Sequence, residues 1–265
     1  MGKSLDRVAA MTLRYWYLLR ASWPRLLEAL YWPAMTMIVW GFLQIYLSED
    51  KSSAANTAGL LLGAVLLWDI LFRGQLGFTF SFLEEIWSRN IANLMMSPLR
   101  PAELAVSLML MSFVRLVIGT IPVTILAAVL FGFNIFGLGF GVAAFFANLV
   151  LTGWALGLVV SGVVLRNGLG AESLAYSIMI VLLPLSCVYY PVTILPVWLQ
   201  PVAWALPPTY VFEGLRGILL DHTFRADLML ESLALNLVYL GLGFAAFLML
   251  MRSARHNGAI LTMGE

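Results

Sequence analysis

Residues 184–208 read PLSCVYYPVTILPVWLQPVAWALPP and hold six of the eleven prolines of the chain. The stretch is too apolar for an ordinary surface loop. It is also too rich in proline for an unbroken helix, because an interior proline removes a backbone hydrogen bond and clashes with the preceding turn. In a bilayer, non-helical backbone persists only where protein or a water-filled cavity covers it. The stretch therefore indicates broken backbone at membrane depth, or just above it, in a protein that controls a path across the bilayer.

The composition agrees with a membrane location. The chain has 265 residues, of which 62% are hydrophobic and 11% charged, and its net charge is +1. A soluble domain is about half apolar and about a quarter charged, so we predict an all-α integral membrane protein. The small net charge gives no reason to expect a nucleic-acid partner. The lone Cys187 cannot form an internal disulfide, and neither histidine has the spacing of a metal site, so we expect no cofactor in this chain.

Six apolar stretches are long enough for transmembrane helices, each of which needs about 20 residues. They are residues 30–47, 58–83, 104–131, 138–165, 173–190 and 232–251. The proline-rich stretch follows the fifth of them, where we predict short re-entrant helices before the sixth. The chain contains no phosphate-binding loop, so it is not expected to hydrolyse nucleotide itself.

The basic residues between the spans predict the orientation. With the N-terminus in the cytoplasm, ten Lys and Arg residues lie on the inner side and three on the outer side. The ten are Lys3, Arg7, Arg14, Arg20, Arg25, Arg89, Arg100, Arg166, Arg252 and Arg255, and the three are Lys51, Arg216 and Arg225. Because segments rich in Lys and Arg stay in the cytoplasm, both termini are predicted to be cytoplasmic.

The N-terminal residues 1–28 form a predicted amphipathic helix, and residues 29–265 form one transmembrane domain. At 100° per residue the apolar side of this helix holds Val8, Tyr15, Leu19 and Leu26, and another side holds Arg7, Arg14 and Arg25. Such a helix can lie among lipid headgroups. It can equally pack on a partner subunit, and the two placements are compatible.

The connection between the second and third spans, residues 82–104, reads FLEEIWSRNIANLMMSPLRPAEL. A short helix is predicted over about 84–98, with Ile86, Ile91, Leu94 and Met95 on one face and with Ser97 and Pro98 ending it. Pro101 then begins the next helix, and Glu103 in its first turn complements the helix dipole. The short helix either docks into a groove on a partner or packs on its own bundle.

Two further patterns concern the packing of the spans. Asp69 and Arg73 lie four residues apart and can pair on one helix face. Because intramembrane charges are costly, pairing of Asp69 with Arg73 or Arg115 is a better interpretation than a proton relay. Three pairs of glycines have the G-x-x-x-G spacing, which lets helices approach closely within a chain or between chains. They are Gly59–Gly63, Gly137–Gly141 and Gly153–Gly157.

With its segments in this order, the chain resembles the membrane subunit of type-2 ABC exporters. Residues 93–104, NLMMSPLRPAEL, are similar to that family's L-x-x-SPL-x-P-x-EL run. Residues 195–210, LPVWLQPVAWALPPTY, with the later Arg216, are similar to the family's LP-x-W-L segment that ends in P-x-T/H-Y and precedes an Arg. The layout of an amphipathic helix, six spans and a cap after the fifth span covers almost the whole chain.

The resemblance implies an ATP-driven exporter in which two copies of the chain pair on two ATPase subunits that carry ATP and Mg. It implies that the segment 84–98 is a coupling helix and that the proline-rich cap, about 189–210, closes the exit. The implied coupling residues are Glu84, Glu85, Trp87, Arg89, Asn90, Leu94, Met95, Ser97, Pro98 and Arg166, with Leu94 and Met95 on the docking surface. The implied exit residues are Tyr189, Tyr190, Pro191, Trp198, Trp204 and Tyr210.

The resemblance also implies a cellular location and a class of transported substrate. We expect a multi-pass protein of a bacterial inner membrane, in contact with membrane lipids, which exports a lipid-linked glycan, a lipid or a hydrophobic small molecule. An integral membrane enzyme acting on a lipid-linked substrate is the alternative. Such an enzyme would need converging polar groups, and the one candidate cluster is Glu213, Asp221, His222, Arg225 and Asp227.

Overall fold

The computed structural model describes residues 2–48 and 58–256, which form ten α-helices and three short 3₁₀ helices, with no strand among them. The α-helices are α1 Gly2–Arg20, α2 Trp23–Ser48, α3 Ala58–Trp87, α4 Ile91–Met96, α5 Pro101–Phe131, α6 Gly141–Asn167, α7 Leu174–Leu185, α8 Gln200–Trp204, α9 Pro207–Asp221 and α10 Ala226–His256. The 3₁₀ helices are Ile135–Leu138, Leu169–Ala171 and Val192–Ile194. Nearly all of the predicted outer loop at 48–57, with Lys51, lies outside the described residues.

Among the described residues, five helices are long and apolar enough to cross a membrane, namely α2, α3, α5, α6 and α10. They correspond to five of the six predicted spans. The predicted span 173–190 is shorter in the structure, because α7 ends at Leu185 after 12 residues. A helix of that length covers about 18 Å, less than the ~30 Å of a hydrocarbon core. The left-handed conformation of Cys187, with φ 53°, prevents the helix from continuing into the cap.

The boundary of the N-terminal helix differs from the prediction. The chain breaks at Ala21 and Ser22 rather than near residue 28, and α2 begins at Trp23. Pro24 occupies the first turn of α2, where its missing N–H removes no helical hydrogen bond. Helix α1 packs against α5 of its own chain. Its buried face holds Met11, Tyr15 and Leu19, so the apolar side predicted from the sequence faces protein in its central part.

Helix α3 lies at the centre of the bundle. It buries 67% of its most apolar stretch, whereas α2, α5 and α10 each bury less than a quarter of theirs. We call the end of the bundle where α3, α6 and α10 finish the α4 end, because α4 lies there. We call the opposite end, where these helices begin, the cap end. Both described termini lie at the α4 end, since α1 and the last turns of α10 pack into one cluster there.

Small residues set the spacing between α3 and α6. A Cβ atom added to Gly153 would lie 2.9 Å from the backbone nitrogen of Gln75, and one added to Gly157 would lie 2.8 Å from the Cβ of Phe78. These two glycines therefore serve packing within the chain. Gly137 differs, because it lies in a 3₁₀ helix before α6 rather than on a spanning helix.

Hydrogen bonds between buried side chains join α6 to α10. The Asn236 amide donates to the backbone oxygen and to Oδ1 of Asn148, both at 3.0 Å, and the Thr152 hydroxyl donates to Asn236 Oδ1 at 2.7 Å. Asn148 and Thr152 are one turn apart on α6, so a single Asn on α10 reaches both. Interhelical hydrogen bonds of this kind contribute about 0.6–2 kcal/mol each in membranes.

We predict that Gly153→Ala separates α3 from α6, because backbone atoms that cannot move aside surround the added methyl group. The thermal unfolding temperature of the detergent-solubilised protein should fall by several degrees. Gly241→Ala is the matched control, because nothing lies within 4 Å of a Cβ at that position of α10. Alanine favours a helix by about 1 kcal/mol over glycine, so this variant should unfold at the same temperature or higher. Equal unfolding temperatures for the two variants would contradict the proposed packing.

Candidate functional site

Three buried glutamates and the arginines that bind them organise the α4 end. We call Glu84, Glu85 and Glu103, with their partners, the carboxylate cluster. The three residues expose 9% or less of their surface. A buried carboxylate needs a positive partner or several hydrogen bonds, because its desolvation is costly. Each of the three therefore constrains the segment that supplies its partner.

Glu85 joins α1 to the start of α4. Arg14 of α1 donates to both of its carboxylate oxygens, at 2.5 and 3.1 Å. The Asn90 side chain donates to the same carboxylate at 2.7 Å, and the Asn90 backbone N–H donates to the Glu85 carbonyl at 2.9 Å. Since Asn90 immediately precedes α4, the position of that helix depends on Glu85. Removing one partner of a buried ion pair lowers the free energy of unfolding by about 3–5 kcal/mol. Because Arg14 is partly exposed, we expect a loss at the lower end of this range.

Glu103 joins α1 to the start of α5. Its carboxylate accepts two hydrogen bonds from Arg7, at 2.5 and 2.8 Å, and one from the Ser4 hydroxyl at 2.7 Å. It also accepts the Arg100 backbone N–H at 2.9 Å and so satisfies an amide that the first turn of α5 leaves unpaired. The pairing with Glu103 raises the pKa of Arg7, which stays charged. The role predicted for Glu103, near the positive end of the helix dipole, is only part of what this residue does.

Glu84 joins α5 to the start of α2. Arg115 lies 2.9 Å from its carboxylate and Arg25 lies 3.3 Å from it. The predicted pairing of Asp69 with Arg73 is confirmed at 2.6 Å. Arg115 differs from the prediction, because its side chain reaches toward the α4 end and pairs with Glu84.

Helix α4 is shorter than the coupling helix predicted over 84–98. Helix α3 continues to Trp87, Arg89 adopts a left-handed conformation with φ 54°, and α4 covers only the six residues Ile91–Met96. The hydroxyl of Ser97 donates to the Leu94 carbonyl at 2.6 Å and ends the helix before Pro98, as predicted.

The two faces of α4 have different surroundings. Ile86 and Ile91 are buried, and Leu94 and Met95 pack on the bundle core. Leu94 and Met95 are half-buried, so each is in contact with the bundle and keeps part of its surface exposed, and their docking role stays a prediction. The apolar side chains exposed around α4 are Trp87, 47% exposed, and Met96, 79% exposed. Arg89, Pro98 and Arg166 are also exposed, and Glu84 and Glu85 are turned inward.

At the other end lies the cap, predicted over about 189–210, which in the structure comprises residues 186–206 between α7 and α9. Arg216 of α9 is 6% exposed and donates to the Cys187 carbonyl at 3.0 Å. Glu213, one turn earlier, pairs with Arg216 at 3.1 Å and accepts the Val192 backbone N–H at 2.8 Å. This pair therefore satisfies backbone groups that the broken helix leaves without helical partners. The Arg that follows the second family motif is thus placed to hold the cap.

The cap returns into the bundle between α9 and α10. Ser232 donates to the Pro207 carbonyl at 2.9 Å, and Tyr239 donates to the Ala205 carbonyl at 3.0 Å. Ser232 lies six residues after the start of α10 at Ala226, which corresponds to about 9 Å along that helix. The turn at residues 205–207 therefore lies well inside the cap end, consistent with the predicted re-entrant backbone.

Most of the predicted exit residues have a protein neighbour. Tyr189 stacks on Trp40 of α2 at 4.7 Å, and Trp204 packs edge-on against Tyr210 at 4.9 Å. The Tyr190 hydroxyl donates to the Pro184 carbonyl at 2.8 Å. Burial raises the pKa of Tyr189 to about 12, so its hydroxyl stays neutral. Pro191 is exposed, and Trp198 is exposed over 74% of its surface.

Of the polar residues considered as a possible enzyme site, Glu213, Arg225 and Asp227 belong to two separate ion pairs in the structure. Glu213 is bound to Arg216 and to the cap, whereas Arg225 pairs with Asp227 at 2.6 Å on the surface. His222 ends α9 in a left-handed conformation, with φ 53°. In the part of the chain that the structure describes, no three His, Cys, Asp or Glu residues are grouped as for a metal ion.

Five potential spans, a sixth shorter apolar helix and a capped, all-helical bundle define a multi-pass α-helical membrane protein. A profile of the ABC-2 type transporter family matches residues 8–220, from α1 to the last turn of α9. The chain therefore belongs to the ABC-2 type transporter family. It is a permease component of an ABC transporter, and the family implies a separate partner subunit that uses ATP. A comparison with curated proteins finds no match.

The sequence reading missed most partners in the carboxylate cluster. It placed Arg7, Arg14 and Arg25 on a side of the N-terminal helix suited to lipid headgroups, but these residues bind buried glutamates. The ends of α3 and α5 carry three glutamates, as many as these three arginines, and this equality was the one signal for the pairs in the sequence. Trp40, Asn148 and Asn236 were also missed, because each lies in an apolar run and its partner lies elsewhere in the chain.

The burial of Cys187 behind Arg216 predicts a slow reaction of its thiol. Burial raises the pKa of this thiol to about 11 from 9.0. Since the thiolate is the reactive form and the folded thiol exposes none of its surface, iodoacetamide at pH 9 should alkylate the folded protein at least tenfold more slowly than the same chain unfolded in SDS. Mass spectrometry follows the reaction, and equal rates for the folded and the unfolded chain would contradict this placement.

Proposed function

We propose that this chain is the permease of an ATP-driven exporter, in which two copies pair on two ATPase subunits and form the export path between them. The observation that carries the proposal is α4. It presents Met96 to the surroundings, beside the exposed Trp87 at the end of α3. The hydrogen bonds of Glu85 to Arg14 and Asn90 fix the start of α4 to α1 and α3. A docking helix can transmit movement only if it is rigidly attached to the helices that must move.

We propose that the ATPase subunit docks on the exposed side of α4 and the adjacent turn, with Trp87, Arg89 and Met96 as its contacts. Asn90, Leu94, Met95 and Ser97 shape α4, and Glu84 and Glu85 hold it from behind. Arg166, exposed in the last turn of α6, supplies a second contact at the same end. Closure of the ATPase pair would then rotate α3 and α5 as rigid bodies.

We propose that the cap closes the far end of the path. Its supports are the Arg216–Glu213 pair and the stacking of Tyr189 on Trp40, which tie the cap to α9 and α2. Trp198 and Pro191, which are exposed, are the candidates to line the exit. The Asp69–Arg73 pair has a structural role in this proposal, because its two charges already neutralise each other.

The proposed cargo is a lipid-linked glycan, a lipid or a hydrophobic small molecule. The protein would act in the inner membrane of a bacterium, with both termini in the cytoplasm. The sequence count of ten Lys and Arg residues on the predicted inner side, against three on the outer side, supports this orientation. In that orientation the ATPase subunits lie where cytoplasmic ATP is available.

The test is to isolate the tagged chain from its native host and identify what accompanies it. We predict an ABC ATPase at a ratio of one to one, in a particle with two copies of each. In Met96→Glu, a charge replaces an apolar contact of about 1.5–3 kcal/mol, so the amount of bound ATPase should fall at least tenfold. Leu220→Glu, at an exposed apolar position of the cap end, should retain it. An unaccompanied chain, or full ATPase binding by Met96→Glu, would overturn the proposal.

A further inference from the structure

An apolar recess opens between α6, α7, α10 and the start of α9. It is a cavity of about 230 Å³. Its wall includes Ala155, Val159, Leu182, Pro207, Leu242 and Ala246. The wall also includes Thr152 and Tyr239, whose hydroxyl groups already donate to Asn236 and to the Ala205 carbonyl. The wall of the cavity is therefore hydrocarbon, and the hydroxyl groups of Thr152 and Tyr239 are already hydrogen-bonded within the protein.

The recess lies half-way along the spans that form it. On α10 it runs from Tyr239 to Ala246, in a helix that begins at Ala226 and ends at His256. On α6 it runs from Thr152 to Val159, in a helix that covers Gly141–Asn167. The middle of a spanning helix lies in the hydrocarbon core of the bilayer. The recess therefore lies at the depth of the lipid acyl chains.

The fold explains why the recess exists. Helix α7 ends after 12 residues, and the turn at residues 205–207 descends from the other side, so no full-length helix covers the groove between α6 and α10. The mouth is accessible, because Val159 is 36% exposed and Leu242 is 61% exposed. Deeper in, Ala155 and Leu182 expose only 5% and 8% of their surfaces.

The shape and chemistry of the recess select its occupant. A water molecule in an apolar cavity lacks hydrogen-bond partners, and an empty cavity leaves the atoms of its wall without dispersion contacts. A helix of a second copy, about 10 Å wide, is too thick to enter. Benzene, with six carbons, fills an apolar cavity of about 150 Å³, so 230 Å³ holds roughly nine carbons in a chain.

We propose that this recess binds the end of one acyl chain of a membrane phospholipid. No charged side chain lines it among the described residues, so it holds a hydrocarbon tail and leaves the headgroup unselected. The bound chain packs against Leu206, Pro207 and Pro208 and so supports the turn of the cap from below. The site is independent of the export path proposed above and needs no ATPase subunit.

The experiment uses the full chain in vesicles of phosphatidylethanolamine and phosphatidylglycerol. A small fraction of phosphatidylcholine carries a diazirine near the end of one acyl chain. After illumination, mass spectrometry should locate adducts on Ala155 or Leu182, which lipids at the protein surface do not reach. Adducts on Leu237, 60% exposed on α10, report ordinary surface lipid.

Val159→Phe should fill the mouth and lower the adducts on the buried wall at least fivefold, while those on Leu237 stay constant. Leu242→Trp, at the same mouth and more exposed, should do the same if Val159→Phe does not fold. Val238→Phe is the matched control, because this valine is 57% exposed on α10 and does not line the recess. It should leave both sets of adducts unchanged.

Three results would overturn the proposal. The first is labelling of Leu237 without labelling of the buried wall. The second is buried-wall labelling that Val159→Phe and Leu242→Trp leave intact. The third is a selective loss of buried-wall adducts when unlabelled polyprenyl phosphate is added in an amount equal to the probe, which would assign the recess to a lipid carrier instead. A proportional dilution of all adducts supports the phospholipid.

Discussion

The α4 end of this protein depends most on the pairing of three buried carboxylates with arginine side chains. Glu84, Glu85 and Glu103 lie at the ends of α3 and α5, and their arginine partners come from α1, the start of α2 and the middle of α5. A buried carboxylate that loses its partner is strongly destabilising, so these segments have to stay together. Helix α4 begins at Ile91, and Asn90 immediately before it donates to the Glu85 carboxylate, so this arrangement fixes the position of α4.

At the cap end, an ion pair binds backbone groups of a non-helical segment. There the chain breaks its helix at Leu185, and the buried backbone groups that lose their helical partners need other ones. Arg216 donates to the carbonyl of Cys187, and Glu213 accepts the N–H of Val192, so one ion pair provides both a donor and an acceptor. The two ends are connected by α3 and α6, which pack closely through Gly153 and Gly157. Movement at one end can therefore reach the other through rigid helices.

The elements that the sequence predicted well are those with a local signal. Long apolar runs gave five spanning helices, Ser97 and Pro98 ended α4, and Asp69 paired with Arg73 one turn away. The elements it missed depend on contacts between distant residues. Arg14 and Glu85 are 71 residues apart, and Asn148 and Asn236 are 88 apart, and no periodicity reports such pairs. The packing of Leu94 and Met95 on the bundle is a distant contact of the same kind.

Hydrogen exchange of the segment 88–98 tests most directly whether the carboxylate cluster holds α4. Arg14→Leu leaves Glu85 without its cation, and the account predicts that amides in this segment then exchange at least tenfold faster, which corresponds to about 1.4 kcal/mol of lost protection. Amides in the middle of α6 should not change, and Arg20→Leu, at an exposed position of the same helix, should match the wild type. Unchanged exchange over 88–98 in Arg14→Leu would contradict the account.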